Sequence, residues 1–167
     1  GTGASLVYDK LVMATGASCI QIPLQGNGQH KVHAVNDLQD YDKFRALLKN
    51  KQKLLIMGAG LIGCEYANDL HQAGYQVEVV DMLDGALRAL LPVEASQVLS
   101  DALTEKGISF HFGQKVTSIN TNGAGVSVKL SDGRALQADL VLSAVGLKPN
   151  TQLAQQAGIA SERGIVV

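Results

Sequence analysis

Apolar and polar positions along this chain change period several times, and each change marks an element. Lys53-Leu54-Leu55-Ile56-Met57 is a short, β-compatible apolar run that stops on glycines. From Ile62 the apolar positions fall at helical spacing (Ile62, Tyr66, Ala67, Leu70, Ala73), with Gly74 where a left-handed C-terminal cap would sit. Gln76-Val77-Glu78-Val79-Val80 then reads as a second strand. The pattern predicts strand, crossover helix, strand. Upstream, Asn36 or Asp37 can cap a helix with Leu38, Tyr41, Phe44, Leu47 and Leu48 on one face. Downstream, Pro92 precedes a helix expected to turn Val98, Leu99, Ala102 and Leu103 inward, with Glu94 in its first turn, Lys106 in its last and Gly107 as the stop. Ile108 to Phe112 returns to the sheet.

From Val116 the period shortens. Val116 to Ile119, Val126 to Leu130 and Leu136 to Ala138, separated by Asn122-Gly123 and Asp132-Gly133, read as a three-stranded antiparallel meander with hairpin turns. Leu140-Val141-Leu142-Ser143-Ala144 is continuously apolar, as a strand buried on both faces should be. Residues 6–18 read as a strand or strand pair with a following turn, and Gln21 to Gly28 as a loop. The fold class is α/β, Rossmann-like, with a central parallel sheet and an antiparallel meander.

The glycines that end the first strand carry the chemistry. Gly58-Ala59-Gly60-Leu61-Ile62-Gly63 is a G-x-G-x-x-G with its strand before it and its helix after it. Gly58 permits the tight turn, Gly60 lets a diphosphate approach the backbone, and Gly63 lets the helix pack close to the sheet. The free N–H groups and dipole at the helix start favour negative charge. The second strand delivers Asp81, 23 residues after Gly58, where a carboxylate suits the two ribose hydroxyls of an adenosine and repels a 2′-phosphate. NAD is favoured over NADP, with Arg88 the nearest candidate for a 2′-phosphate. Methyltransferases also set a Gly-rich turn and a later acid on an α/β sheet, so the ligand class stays open at this point.

Composition excludes several alternatives. Of the 167 residues 17% are charged and 46% hydrophobic, the profile of a globular α/β protein rather than a disordered one. The net charge of −1 carries no like-charge block, so nucleic-acid binding is not expected. The longest apolar run, Leu54 to Cys64, is far too short to span a membrane, and the amino end shows no signal peptide, which makes a cytoplasmic location the expectation. Cys19 and Cys64 form no C-x-x-C pair, and His30 and His33 have no acid or cysteine at ligand spacing. Neither a redox disulfide nor a metal site is expected.

A weak internal repeat adds an argument about organisation. Asp9 to Gly16 and Asp139 to Gly146 share D-x-[LV]-[VL]-x-A-x-G, 130 positions apart. Two copies of one strand-to-turn device imply two nucleotide-binding units, of which one has its Gly-rich loop in this chain. That counts against a methyltransferase.

Tyr8 to Gly16 (Y-D-K-L-V-M-A-T-G), Val35 to Tyr41, Gly58 to Leu70, Leu142 to Asn150 and Ala157 to Ile165 together resemble the flavin-dependent pyridine nucleotide–disulfide oxidoreductases, in their ferredoxin- and rubredoxin-reductase branch. The resemblance implies an electron path from NADH through FAD to rubredoxin or a similar small iron–sulfur carrier. It implies that Gly58, Gly60, Leu61, Ile62 and Gly63 hold the NAD diphosphate and Asp81 the ribose, while Val145 and Gly146 approach the dinucleotide from the closing strand. Glu65 matches a carboxylate at the flavin–nicotinamide junction, and Thr15 and Gly16 match the strand end of the flavin domain. On this view residues 1–34 are a flavin-domain strand and linker, 35–150 the NAD-binding domain, and 151–167 a return toward the flavin domain. The Gly-rich flavin unit and the interface domain of such enzymes have no counterpart in this sequence, so a catalytically silent piece with no acid, base or nucleophile of its own is the expectation. Ferredoxin, nitrite or coenzyme A disulfide as acceptor, or a nucleotide-sensing module without turnover, remain alternatives.

Overall fold

Side chains alternate across a strand, which sorts Leu54 and Ile56 onto one face and Leu55 and Met57 onto the other. All four are buried, so their strand lies inside a sheet with a core on each side. The computed structural model describes residues 3–167. Its elements in chain order are β1 (Ala17–Cys19), β2 (Val32–His33), α1 (Leu38–Leu47), β3 (Lys53–Met57), α2 (Leu61–Gln72), β4 (Gln76–Val80), α3 (Val93–Glu105), β5 (Ser109–His111), β6 (Val116–Asn122), β7 (Gly125–Leu130), β8 (Ala135–Ala138), β9 (Leu140–Ser143), β10 (Leu147–Pro149) and α4 (Gln152–Gln156). They fall into two compact units: Cys19–Gly146, and the residues up to Ser18 together with Leu147–Val167.

In the larger unit a parallel five-stranded sheet has the order β2-β9-β3-β4-β5. The sheet takes in Val32 and His33, on the amino side of residue 35, and β9 is inserted between β2 and β3. On one face Ile56, Val79 and Leu142 pack with Phe44 of α1, Ala67 and Leu70 of α2 and Leu103 of α3. On the other, Leu55, Met57, Val80 and Val141 pack against Ile119, Val126, Val128 and Leu130 of the antiparallel meander β6-β7-β8. Each fully buried aliphatic side chain contributes about 1.5–3 kcal/mol. The two cores hold the sheet ends, and hence the loops that leave them, in fixed positions. Asp139 ties the strand starts together: its Oδ2 accepts the amides of Gln52 at 2.8 Å and Lys53 at 2.9 Å.

Local signals act where the sequence puts them. Asp37 caps α1 by accepting the Asp40 amide at 2.8 Å. Gly74 ends α2 with φ 92°, and the meander turns on Gly123 and Gly133, also at positive φ. Of the apolar face expected on α1, Phe44 and Leu48 are buried while Leu38, Tyr41 and Leu47 are exposed, and two further expectations differ from the structure. Helix α3 turns Ser96, Ser100 and Leu103 inward, with Leu99 half-buried, and leaves Val98 70% exposed. Polar contacts, described below, set that face in place of apolar burial.

The second difference lies in the smaller unit. Residues 6–16 form no strand, and Leu6, Val7 and Val12 are exposed. A strand needs a neighbour to take its backbone bonds, and none pairs with this segment among the described residues. Strands begin only at β1, which forms a two-stranded sheet with β10, while α4 buries Ala154. Asn150 organises this unit. It accepts from Ser18 Oγ at 2.8 Å and donates through Nδ2 to the Thr15 carbonyl at 2.9 Å; its own carbonyl accepts from Thr15 Oγ1 at 2.6 Å.

Candidate functional site

The site grows from the carboxyl ends of β3 and β4. Gly58 leaves β3 at φ 105°, and its amide donates to the Val80 carbonyl at 2.8 Å. A Cβ on Gly58 would lie 2.5 Å from the Ala144 carbonyl oxygen, and one on Gly63 would lie 1.9 Å from the Gly58 oxygen. Both glycines are therefore required by packing: the first by the strand end beyond β9, the second by contact between α2 and the loop. Gly60 differs, because a Cβ there would meet nothing within 4 Å. Gly60 is the N-cap of α2 and offers no side-chain acceptor, and the first intrahelical bond is Cys64 N–H to Gly60 O at 2.9 Å. The amides of Leu61, Ile62 and Gly63 precede that bond, at the positive end of the helix dipole and next to the open space at Gly60.

Asp81 is the acid at the end of β4. Its Oδ2 accepts the Ala59 amide at 2.5 Å and its Oδ1 the Leu83 amide at 2.7 Å, so the carboxylate is anchored to the glycine loop and to its own turn. Each oxygen keeps a lone pair for a further donor such as a ribose hydroxyl. Arg88, the nearest guanidinium by sequence, is engaged elsewhere. It pairs with Asp84 at 3.1 Å and donates to the Leu91 carbonyl at 3.1 Å.

The remaining residues singled out by sequence are placed as follows. Val145 is half-buried against the meander-side core, and Gly146 follows it at φ 111°, its carbonyl accepting the Ile20 amide at 3.0 Å. Glu65 is exposed on α2 and makes no ion pair among the described residues. In the smaller unit Gly16 has φ 66°, and its carbonyl accepts the Asn150 amide at 2.9 Å. Both glycines of the internal repeat have positive φ, but only the second copy has its strand, β9; residues 9–16 form none.

A protein-family model of pyridine nucleotide-disulphide oxidoreductases matches residues 1–167. The chain belongs to that family. Among curated members it is similar to a rubredoxin-NAD(+) reductase of Alcanivorax borkumensis, 44% identical over 96% of this chain and 42% of that protein. It is also similar to a nitric oxide reductase FlRd-NAD(+) reductase of Aeromonas salmonicida, 45% identical over 96% of this chain and 41% of that protein. The chain therefore spans about two fifths of the length of the curated relatives it matches. Among solved structures, a ferredoxin reductase from Rhodopseudomonas palustris superposes with a TM-score of 0.92 at 32% identity, over 99% of this chain and 41% of that one. The α/β architecture, with its parallel five-stranded sheet and separate three-stranded meander, is that of an FAD/NAD oxidoreductase.

In this family member the site also depends on residues that hydrophobic patterning passes over. The Leu87 amide donates to the Ala59 carbonyl at 2.7 Å, and Leu87 itself sits at φ 54°, a conformation that costs an L-residue about 1–2 kcal/mol. Ahead of it, Ser96 Oγ donates to the Ala86 carbonyl at 2.7 Å, and the Ala86 amide donates to Ser100 Oγ at 3.0 Å. The usable signal was two serines four positions apart on one helix face, where the period calls for apolar residues. The Cys64 thiol donates to the same Ala59 carbonyl at 3.3 Å, and burial pushes it up to about 11. Cys19 and Cys64 are both free thiols, and no group of three metal-ligating side chains occurs among the described residues. No helix among them is long and apolar enough to cross a membrane.

Proposed function

We propose that the Gly58–Gly63 loop and Asp81 hold the diphosphate and adenosine ribose of NADH. The whole protein then acts as an FAD-dependent reductase that passes electrons to rubredoxin or a similar small iron–sulfur protein. The observation that carries this reading is the Asp81 carboxylate anchored on the Ala59 amide beside the bare backbone of Gly60. The fit is chemical as well as geometric. Amides free of intrahelical acceptors meet the diphosphate, a carboxylate with spare lone pairs meets a ribose diol, and Arg88, the nearest guanidinium by sequence, is held by Asp84 and the Leu91 carbonyl.

This chain's residues bind and orient. Leu61, Ile62 and Gly63 supply first-turn amides, and Val145 and Gly146 line the approach beside Gly58. Glu65 is assigned to the hydride-transfer end of the NADH site, and Thr15 and Gly16 to a strand end of the flavin domain, on the family resemblance. The segments that make up the smaller unit are assigned to the flavin domain on the same ground. What a bound flavin supplies is hydride acceptance followed by release of single electrons. None of the chain's own side chains is asked to act as acid, base or nucleophile.

Titration with NADH, NADPH and S-adenosylmethionine tests the ligand class. NADH should saturate at the lowest concentration; preference for S-adenosylmethionine would remove the reading, and preference for NADPH would remove the role of Asp81. For the acceptor, the relatives' names favour rubredoxin, with the nitric oxide reductase FlRd as the second reading. Reduction rates of rubredoxin, a flavorubredoxin and a ferredoxin by the FAD-loaded full-length protein separate them.

A further inference from the structure

We propose that Ser96 and Ser100 are positioning residues for the dinucleotide, acting through Ala86 and Leu87 on the Ala59–Gly60 peptide. The inference rests on the assignment of the glycine loop to the NADH diphosphate. Both serines are almost wholly buried in α3, and neither touches the site. Between them they hold both backbone groups of Ala86: Ser96 Oγ donates to its carbonyl, and Ser100 Oγ accepts its amide while donating to the Ser96 carbonyl at 2.8 Å. Gly85 packs so closely on Ser96 that a Cβ on it would collide with Ser96 Oγ, leaving no room for a side chain there.

The next residue pays for this clamp in conformation. Leucine avoids the left-handed region, and nothing in its side chain favours it, so the φ of 54° at Leu87 is imposed by its neighbours. On the far side the Leu90 and Leu91 amides both bond to the Leu87 carbonyl, at 2.8 and 2.9 Å. Held from both directions, Leu87 has one direction left for its amide, the Ala59 carbonyl.

That carbonyl shares a planar trans peptide with the Gly60 N–H. Pinning the oxygen on one edge of the plane aims the N–H from the opposite edge. The Gly60 N–H takes no acceptor among the described residues, and it lies at the open approach to the loop. The preceding peptide is fixed too, because the Ala59 N–H is given to Asp81. The serines therefore set the amide direction of the one loop residue that a diphosphate can approach closely, and a pre-aimed donor binds without the cost of ordering it.

The test uses ADP-ribose, which carries the adenosine and diphosphate without the nicotinamide, with binding measured by calorimetry. Ser96→Ala and Ser100→Ala should each weaken ADP-ribose about tenfold, with the circular dichroism spectrum unchanged. Leu87→Gly added to the serine variants should restore part of the affinity, since glycine takes the left-handed turn without the clamp. A purely structural role predicts further loss instead. In the unsubstituted chain, exchange of the Leu87 amide should slow when ADP-ribose binds. Affinities within twofold of the parent, no rescue by Leu87→Gly, or an unaltered Leu87 amide would each overturn the proposal while leaving the NADH reading intact. A parent chain that fails to bind ADP-ribose at all would overturn both.

Discussion

Asp81 and Ala59 are joined by a hydrogen bond of 2.5 Å from the Ala59 amide to the Asp81 carboxylate, linking the end of β4 to the glycine loop that follows β3. The acid thus has two tasks, shaping the loop and presenting lone pairs to a ribose. Asp81→Asn keeps the shape of the side chain, but one of its ends becomes a donor, so the Ala59 and Leu83 amides cannot both be satisfied. Leaving one of them without its acceptor costs about 1–3 kcal/mol. NADH affinity should fall roughly ten- to a hundredfold, with NADPH affected less. Equal losses for the two nucleotides would show that Asp81 acts only on the loop.

The three loop glycines should separate binding from folding. Gly60 has φ −72° and open space where a Cβ would stand, so Gly60→Ala should leave the thermal midpoint within a few degrees while NADH affinity drops about tenfold, near 1.4 kcal/mol. In Gly63→Ala the methyl would collide with the Gly58 carbonyl. Overpacking of that kind costs about 1–3 kcal/mol, and each kcal/mol lowers the midpoint of a chain this size by about 2–4 °C. Melting curves and nucleotide titrations of the two variants decide the matter. A Gly60→Ala variant that binds normally would contradict the close approach assigned to that residue.

Much of this was legible in the residues because the physics is local. A tight turn, a cap and a hairpin each need a particular residue at a particular place, so Gly58, the Asn36-Asp37 pair and Gly123 announce themselves, although Asn122 still pairs with Gly125 and the hairpin turns on Gly123 and Ala124. Burial on both faces made β3 and β9 readable as apolar runs. Long-range satisfaction of backbone groups was not legible. Nothing near Leu87 marks its left-handed turn, since the cause lies in Ser96 and Ser100 on another element. The face of α3 departs from the apolar spacing for the same reason: Ser96 and Ser100 take inward positions, and Val98 and Ala102 are left outside. The apolar run from Leu11 to Ala14 looks like a strand, yet pairing partners, which no local pattern supplies, decide whether one forms.

The Cys64 thiol should be inert. Burial raises it to about 11, so at pH 8 roughly one molecule in a thousand carries the reactive thiolate, and the residue is buried. Titration with a chromogenic disulfide should label Cys19, which is half-exposed, well before Cys64. Unfolding in guanidinium should bring both to the same rate. Rapid labelling of Cys64 in the folded chain would mean that the Ala59 peptide, whose carbonyl the thiol contacts, opens readily.

Asp139 should mark the acid limb of stability. The Lys53 and Gln52 amides hold its carboxyl below the ordinary aspartate value, with Lys51 and Lys53 adding a smaller electrostatic pull. A group whose folded pKa lies below its unfolded one releases its proton more readily in the native state, so its stabilisation is complete above the unfolded value, near 4, and is lost as pH falls through the folded value. Asp139→Asn removes that titration and keeps one carbonyl oxygen for the two amides. Both amides bond a single oxygen, so both bonds can persist but weaken without the charge, and the variant should be less stable than the parent at pH 7 by about 1 kcal/mol. Its stability should also decline less steeply below pH 4, so the two denaturation profiles converge toward acid. Parallel profiles between pH 6 and 2 would mean that the bonds to Gln52 and Lys53 do not depend on the charge.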